Sequence, residues 1–419
     1  MLPSFQLEVT INRIIREEWG RILAALVSSV GDLQLAEDCL QDAVEAALLD
    51  WNNKGLPNSP AAWLISTARR KAIDRFRRDT HFAKLQPELS YLLDLANDSC
   101  SQAEALEAIP DKRLELIFTC CHPALDKKSR IALTLRTLGG LTTEEIAHAF
   151  LDKPKAMAQR LVRAKKKISL AGIPYEVPQL DVLPERIQTV IAVIYLIFNE
   201  GYSASSGLDV ARGDLAEEAI RLARIALDIL PEETEVAGLL SLMLLHDSRR
   251  SSRQSSQGDI IALEHQNRYS WDKAKISEGV DLLKRTLKKQ RVGVYQLQAA
   301  ISALHAEAVN WQATDWKQIS ALYNLLYDLQ PTAVVQLNRA VALSYSDSPQ
   351  SALQLLNDVG ASGKLDDYQP YFAARSDVLL RCAKRKEAIS CIEKAIELTG
   401  NAADKQFLIN RRNDINDVG

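Results

Sequence analysis

A chain of 419 residues is too long for one small hydrophobic core and predicts two to four domains. Its 47% hydrophobic and 25% charged residues are those of an ordinary globular protein. No apolar run approaches the roughly 18 residues of a membrane span, and the opening MLPSFQLEVTINRIIREEW lacks a signal-peptide core. The expectation is a cytoplasmic protein without a membrane partner. Six cysteines, two of them adjacent, make no disulfide framework. The formal net charge of -3 conceals an asymmetry: residues 1–170 hold 24 Lys+Arg against 22 Asp+Glu, and residues 171–419 hold 27 against 32. Any nucleic-acid contact therefore belongs to the front of the chain.

Residues 8–30 have the spacing of an amphipathic helix, with Val9, Ile14, Ile15, Ile22, Leu26 and Val30 available for burial, and Gly31-Asp32 breaks it. A second helix runs over 33–51, burying Leu35, Cys39, Leu40, Ala43, Ala47 and Leu48. Its outward face carries Glu37, Asp38, Gln41, Asp42 and Glu45, either a solvated face or a patch for a basic protein surface. After the turn-rich NNKGLPNSP (52–60) comes a helix in which Arg69, Arg70, Lys71, Arg75, Arg77 and Arg78 place six basic residues in ten. Such a helix suits phosphate contacts. Trp63 and Phe76 either hold it to the core or stack on opened bases. Residues 79–104 lose periodicity and read as a linker with a short helical piece around Leu89 to Leu95. Two helices between Ile109 and Leu138 follow, divided near His122-Pro123. The front is thus expected to be two small helical modules on a flexible join, able to read two separated DNA sites.

Residues 141–168 have the pattern of a helix-turn-helix. Thr142 followed by Glu145 is a capping box, Leu141 a staple candidate, and Ile146, Ala147 and Phe150 a short apolar face. After an interruption at Leu151 to Pro154, with Asp152 as the expected cap, Met157, Leu161, Ala164 and Ile168 form one apolar stripe. Lys155, Gln159, Arg163, Lys166 and Lys167 lie opposite. Between Lys153 and Lys167 stand seven basic residues and no acidic one. A helix of this kind fits a major groove about 12 Å wide, its early residues at base edges and its later lysines beside phosphates. The competing reading is a solvated basic helix.

Beyond Ala171-Gly172-Ile173-Pro174 the pattern changes. ERIQTVIAVIYLIF (185–198) predicts a buried helix ended by the turn formers NEGYSASSG; two helices split at Pro231 follow, and RRSSRQSSQGD (249–259) is the clearest exposed loop. At an offset of 36, Leu337 aligns with Ala373, Arg339 with Arg375, Leu343 with Leu379, Ala352 with Ala388 and Leu356 with Ile392, close to the 34-residue period of stacked helix pairs. Such a solenoid is either a peptide-binding surface or a rigid scaffold. Trp311 and Trp316 pack between its helices or line a ligand pocket. Cys120, Cys121 and His122 lack metal-ligand spacing and fit buried positions, and no phosphate loop or dinucleotide fingerprint occurs. The expectation is a protein without metal, cofactor or enzymatic activity.

The segments LAEDCLQDAVEAALLDW (35–51), SPAAWLISTARRKAIDRFRRD (59–79) and ALTLRTLGGLTTEEIAHAFLDKPKAMAQRLVRAKKKI (132–168) resemble the second and fourth regions of bacterial RNA polymerase sigma factors of the sigma-70 family, extracytoplasmic-function type. VIYLIFNEGYSAS, LLSLMLLHDSRR, YQLQAAISALHAEA, TDWKQISALY and QLNRAVAL extend the likeness to the subgroup with a long tetratricopeptide-like C-terminal extension. The resemblance implies an all-α protein: a region-2-like domain over 1–80, a linker over 81–104, a region-4-like domain over 105–172 and a helical solenoid over 173–419. It implies that core RNA polymerase and promoter DNA are the partners. Asp38, Gln41 and Asp42 would meet the beta-prime clamp helices. Arg69, Lys71, Asp74, Arg75, Arg77 and Arg78 would serve the -10 element, and Lys155, Gln159, Arg160, Arg163, Lys166 and Lys167 the -35 element, with the fourth region also touching the beta flap. The chain departs from the family pattern after Asp38-Cys39-Leu40-Gln41-Asp42-Ala43-Val44, where the usual aromatic is missing. Two other readings stand beside the sigma factor: a one-component regulator that binds duplex DNA alone, with the extension taking a ligand or protein, and a helical scaffold whose basic faces serve solubility.

Overall fold

The computed structural model describes residues 4–78, 112–150, 152–203, 210–255, 259–400 and 402–417. Among these the regular structure is helical, with no strand beyond one isolated bridge between Gln254 and Ile260. The expected linker helix around Leu89 to Leu95 lies outside the described residues. The chain divides into two compact units, Met1–Ile197 and Phe198–Gly419.

Unit 1 begins with α1 (Ser4–Val30), α2 (Leu33–Lys54) and α3 (Pro60–Arg78). Gly31 ends α1 with φ at 74°, a left-handed conformation that Gly adopts without steric cost. Asp32 then caps α2, its carboxylate accepting from the Leu35 amide at 2.8 Å. Ile22, Leu23, Leu26, Leu40, Trp51 and Leu64 are fully buried where the three helices meet. The second part of the unit comprises α4 (Arg113–Cys120), α5 (Lys127–Thr137), α6 (Thr143–Ala149) and α7 (Pro154–Leu170). Cys120 and Cys121 are buried as expected, their sulfurs 3.0 Å from Thr137 Oγ1 and 3.6 Å from Thr134 Oγ1. Burial pushes the Cys121 thiol up to about 11, the state of an inert core cysteine.

The two parts do not stand apart, as a pair of modules on a flexible join would. Gly20 of α1 lies against the backbone of Leu138, where a Cβ would fall 2.8 Å from the carbonyl oxygen. Gly140, at φ 70°, sits under the Trp19 ring. Two glycines thus bring α1 and the turn after α5 to a distance that no side chain allows.

Helix α8 (Leu183–Ser203) runs through NEGYS, which the turn-forming composition places in a loop. Phe198 and Tyr202, one turn apart, stack at 5.3 Å and continue its packed face, which explains why the helix persists. Unit 2 then contains α9 (Val210–Ile229), α10 (Thr234–Asp247), α11 (Lys273–Leu287) and α12 (Val294–Glu307). α10 is the element around which these helices assemble: from Val236 to Leu245 every residue is buried. An apolar helix without a polar face needs neighbours on all sides. Gly238 admits the backbone of Gln296 and Gly279 the side chain of Leu245. The rest is helix pairs: α13 (Trp316–Leu329), then α14 (Ala333–Ser346) with α15 (Pro349–Gly360), α16 (Gln369–Arg381) with α17 (Arg385–Leu398), and finally α18 (Ala402–Asp417). The offset of 36 residues maps one pair onto the next. Ala352 and Ala388 are both fully buried, as are Leu356 and Ile392. The segment expected as an open loop is partly folded down. Arg250–Ser252 forms a short 3-10 turn, Ser252 is buried, and Arg253 donates to the Tyr202 carbonyl at 2.8 Å, because its guanidinium finds an aromatic face to cover.

Candidate nucleic-acid interface

The helix-turn-helix forms as its sequence dictates. Thr142 Oγ1 accepts from the Glu145 amide at 3.1 Å while Glu145 Oε2 accepts from the Thr142 amide at 2.7 Å, the reciprocal capping box. Pro154 occupies the first turn of α7, and Met157, Leu161, Ala164 and Ile168 are buried. The expected cap is different: Asp152 does not cap α7. Its Oδ2 accepts from Arg160 at 2.7 Å and its Oδ1 from the adjacent Lys153 amide, so a guanidinium two turns into the helix outcompetes the free backbone amides. That hydrogen bond holds the Asp152 carboxyl below its ordinary range.

Lys155, Gln159, Arg163 and Lys166 are exposed along one side of α7. Their spacing of four, four and three residues keeps them on a single stripe, opposite the buried one. Arg163 donates to the carbonyl of Gln159 at 3.3 Å and otherwise faces outward. Two of the expected DNA ligands are committed elsewhere: Arg160 to Asp152, and Lys167 to the carbonyl of Ala124. Beside the turn lies a cavity of about 260 Å³ lined by Lys128, Ala132, Phe150, Asp152, Met157 and Arg160.

On α3, Lys71 and Asp74 are exposed, Arg69 is half-buried, and the side chains of Phe76, Arg77 and Arg78 lie outside the described residues. Trp63 is half-buried, edge-on to the buried Trp51 at 5.4 Å, which supports the core reading for this ring. Arg75 turns away from the other cations towards α2, where its Nη2 is 2.8 Å from Asp42 and its Nη1 3.6 Å from Asp38. The acidic face of α2 and the basic face of α3 therefore meet at Arg75. Gln41 remains exposed beside them.

Glu37 is the correction with the largest consequence. The α2 pattern places it among the outward acids, yet it is 2% exposed. It accepts from Arg136 of α5 at 2.5 Å, and from Lys165 of α7. Lys165 also donates to Gln34 at 2.9 Å, and the Arg136 guanidinium covers the Trp19 ring at 5.5 Å. Arg136 and Lys165 are thus partners of a buried carboxylate that reading the basic face alone misses. The signal was present: Glu37 lies one turn from Leu33 on the stripe that Leu40 continues, and Lys165 one turn from Leu161. Two charges on buried stripes call for each other.

The comparisons agree with this geometry. Sigma-70 region 2 matches residues 14–82, and sigma-70 region 4 matches residues 115–168. A family of unknown function, DUF6596, matches residues 186–287. An uncharacterized protein of Rhizobium meliloti (strain 1021) is 40% identical over 388 residues, 92% of this chain and 91% of its own length. No solved structure matches the chain. Region 2 coincides with α1 to α3, and region 4 with α4 to α7 and its capped helix-turn-helix. The chain therefore belongs to the sigma-70 family as an extracytoplasmic-function-like sigma factor with a helical C-terminal extension, and its role is in promoter-specific transcription with core RNA polymerase.

Proposed function

We propose that α7 reads the -35 promoter element through Lys155, Gln159 and Arg163, with Lys166 beside phosphates, while α3 serves the -10 element through Arg69, Lys71, Asp74, Arg75, Arg77 and Arg78. The observation that carries this reading is the outward stripe of Lys155, Gln159, Arg163 and Lys166, opposite a fully packed face. Arginine and glutamine on such a stripe match the donor and acceptor code of the major groove, and lysines supply counterion release. Asp38, Gln41 and Asp42 dock on the beta-prime clamp helices, and the fourth region meets the beta flap. The ion pairs from Arg75 to Asp38 and Asp42 link the two tasks: polymerase binding that claims these carboxylates frees Arg75 for DNA. The protein works in the cytoplasm and performs no chemistry of its own.

Glu37, with Arg136 and Lys165, holds the two promoter-reading parts together in the free protein. Reaching two separated promoter elements requires that contact to open. The extension, with its acidic excess, acts in cis by biasing this opening and also offers a surface to a ligand or protein. Run-off transcription with purified core polymerase on a library of promoter fragments, at one fixed salt concentration, tests the reading. Transcripts that share a two-part upstream sequence are expected, and they should disappear when Lys155, Gln159 and Arg163 are replaced by alanine. A chain that adds no transcripts yet shifts a specific duplex by itself is a one-component regulator instead. A variant ending at Ser203, which keeps α8 whole, should transcribe with altered efficiency; unchanged transcription removes the role of the extension.

A further inference from the structure

Cations in unit 2 converge at a place where the fold provides little negative charge. Arg249 and Arg253 follow α10, and Arg268 opens the short 3-10 turn Arg268–Ser270. Beside them stand His246 of α10 and His305 of α12. Arg268 is 8% exposed. Its Nη1 donates to the carbonyls of His305 and Ala308, the latter at 2.7 Å, and its guanidinium covers Trp271 at 4.9 Å. Its Nη2 is buried with no hydrogen-bond partner, and so is His305 Nδ1. Among the described residues the Arg249 side chain makes no hydrogen bond or ion pair, while its charge reaches His246, Arg253, Arg268 and His305.

The nearby carboxylates are engaged elsewhere. Asp247 is held by Arg250 at 2.5 Å and Lys275 at 2.6 Å, Asp404 acts on Arg253, and Glu264 acts on Tyr345 and Arg411. Like charges gathered at a half-buried place raise the energy of the empty site, and they lower the cost of receiving an anion there. The histidines are suited to the same task. Burial, reinforced by Arg249, pushes His305 down to about 4 and His246 down to about 3, so both rings are neutral at physiological pH. His246 Nε2 is paired with Ser302 Oγ at 3.0 Å, whereas His305 keeps its Nδ1 available.

The walls are aromatic. The Arg253 guanidinium lies over the Tyr202 ring at 3.8 Å, Tyr202 tilts against His246 at 5.4 Å, and Trp311 stacks with His305 at 6.1 Å and 15°. Trp311 also meets Trp316 edge-on at 4.9 Å, and Trp316 stacks on Tyr345 at 4.2 Å. Few polar groups set among aromatic rings is the composition of a small-molecule site, and guanidinium forks match carboxylate and phosphate oxygens.

We infer that Arg249, Arg268 and His305, walled by Tyr202 and Trp311, form a binding site in the extension for a small aromatic or otherwise planar oxyanion, a carboxylate or a phosphate ester. The site uses none of the residues assigned to promoter reading, so its existence does not depend on how α7 and α3 are used. It gives the extension a chemical input.

Isothermal titration of the full-length protein with phenyl phosphate, benzoate and inorganic phosphate tests this. One-site saturable binding of phenyl phosphate or benzoate is expected, weakened about tenfold or more in Arg249→Met, as loss of a charge-assisted contact predicts. The exposed control Lys364→Met should bind as the parent does. The Arg249 side chain makes no bond that the fold needs and its charge repels its neighbours, so its variant should melt no lower than the parent. A second variant, Trp311→Leu, should lose affinity for phenyl phosphate and leave that for inorganic phosphate unchanged. The preferred head group, carboxylate or phosphate, follows from which of the two aromatic probes binds. Absence of saturable binding up to about 10 mM of every probe, or equal affinity in Arg249→Met and the parent, overturns the site. Inorganic phosphate binding as tightly as phenyl phosphate overturns its aromatic half.

Discussion

Helix α7 of unit 1 and the aromatic-lined places of unit 2 treat arginine and lysine in opposite ways. On α7 of unit 1, Lys155, Arg163 and Lys166 project into solvent from a packed helix. In unit 2, Arg253, Arg268 and Arg381 fold onto the rings of Tyr202, Trp271 and Tyr345 at 3.8, 4.9 and 3.7 Å. An outward cation costs little to keep and is available to a polyanion, whereas one laid on an aromatic face is desolvated, fixed in direction and suited to a small partner. The position of a cation relative to the apolar stripe of its helix, more than the number of cations, decides which use it has.

Replacing Lys155, Gln159 and Arg163 together by alanine should break the first half of this comparison with the largest effect. Each good base contact is worth about 1–3 kcal/mol, so promoter-dependent run-off transcription should fall by roughly a hundredfold or more with an unchanged melting curve. A loss of stability of similar size to the loss of transcription would move these residues from the interface to the core.

Glu37 sharpens the comparison, because it is the place where cations of unit 1 are turned inward. Glu37→Ala leaves Arg136 and Lys165 largely buried without their carboxylate, and should lower the urea-unfolding free energy of the transition containing unit 1 by about 3 kcal/mol. The variant should also expand in small-angle scattering as the two promoter-reading parts separate. An unchanged radius would mean that Gly20 and Gly140, with Trp19 and Leu138, hold them without the ion pairs.

In unit 2 the inward arrangement has a pH signature. The folded His246 and His305 lie well below the ordinary histidine value of 6.5, at about 3 and about 4, so the unfolded chain binds the protons first. The stability they contribute is therefore complete above pH 6.5 and is lost as the pH falls towards 4. Melting temperatures followed from pH 7.5 to pH 5, a window above most carboxylate titrations, should decline in the parent. The decline should be shallower in His246→Gln, whose side chain does not titrate.

The smallest effect belongs to a local signal. Thr142→Ala removes one half of the capping box and should cost about 1 kcal/mol in chemical denaturation, with transcription reduced only in proportion to the folded fraction.

Much of unit 1 was legible before its structure. Local rules place the break at Gly31-Asp32, the capping box at Thr142 and the buried stripe from Met157 to Ile168, and in unit 2 the paired helices around Ala352 and Ala388, because capping and periodicity act within a few residues. The same rules misplace Glu37, Asp152 and the run NEGYS. In each case a partner decides the outcome: Arg136 and Lys165 bury Glu37, Arg160 draws Asp152 from the helix start, and the stacking of Tyr202 on Phe198 outweighs the turn preference of Asn199, Glu200 and Gly201.

The amino-acid sequence by itself determined that this chain is helical, that α7 has one packed and one cationic face, and that the front carries the sigma-70 regions. Only the tertiary structure decided that the two sigma-70 regions are fastened through a buried carboxylate, and that arginines from two separate turns, Arg249 and Arg268, act on His305. Helix periodicity and capping are written in residues three or four apart. Contacts such as Lys165 with Glu37, which lie 128 residues apart, depend on how whole helices dock.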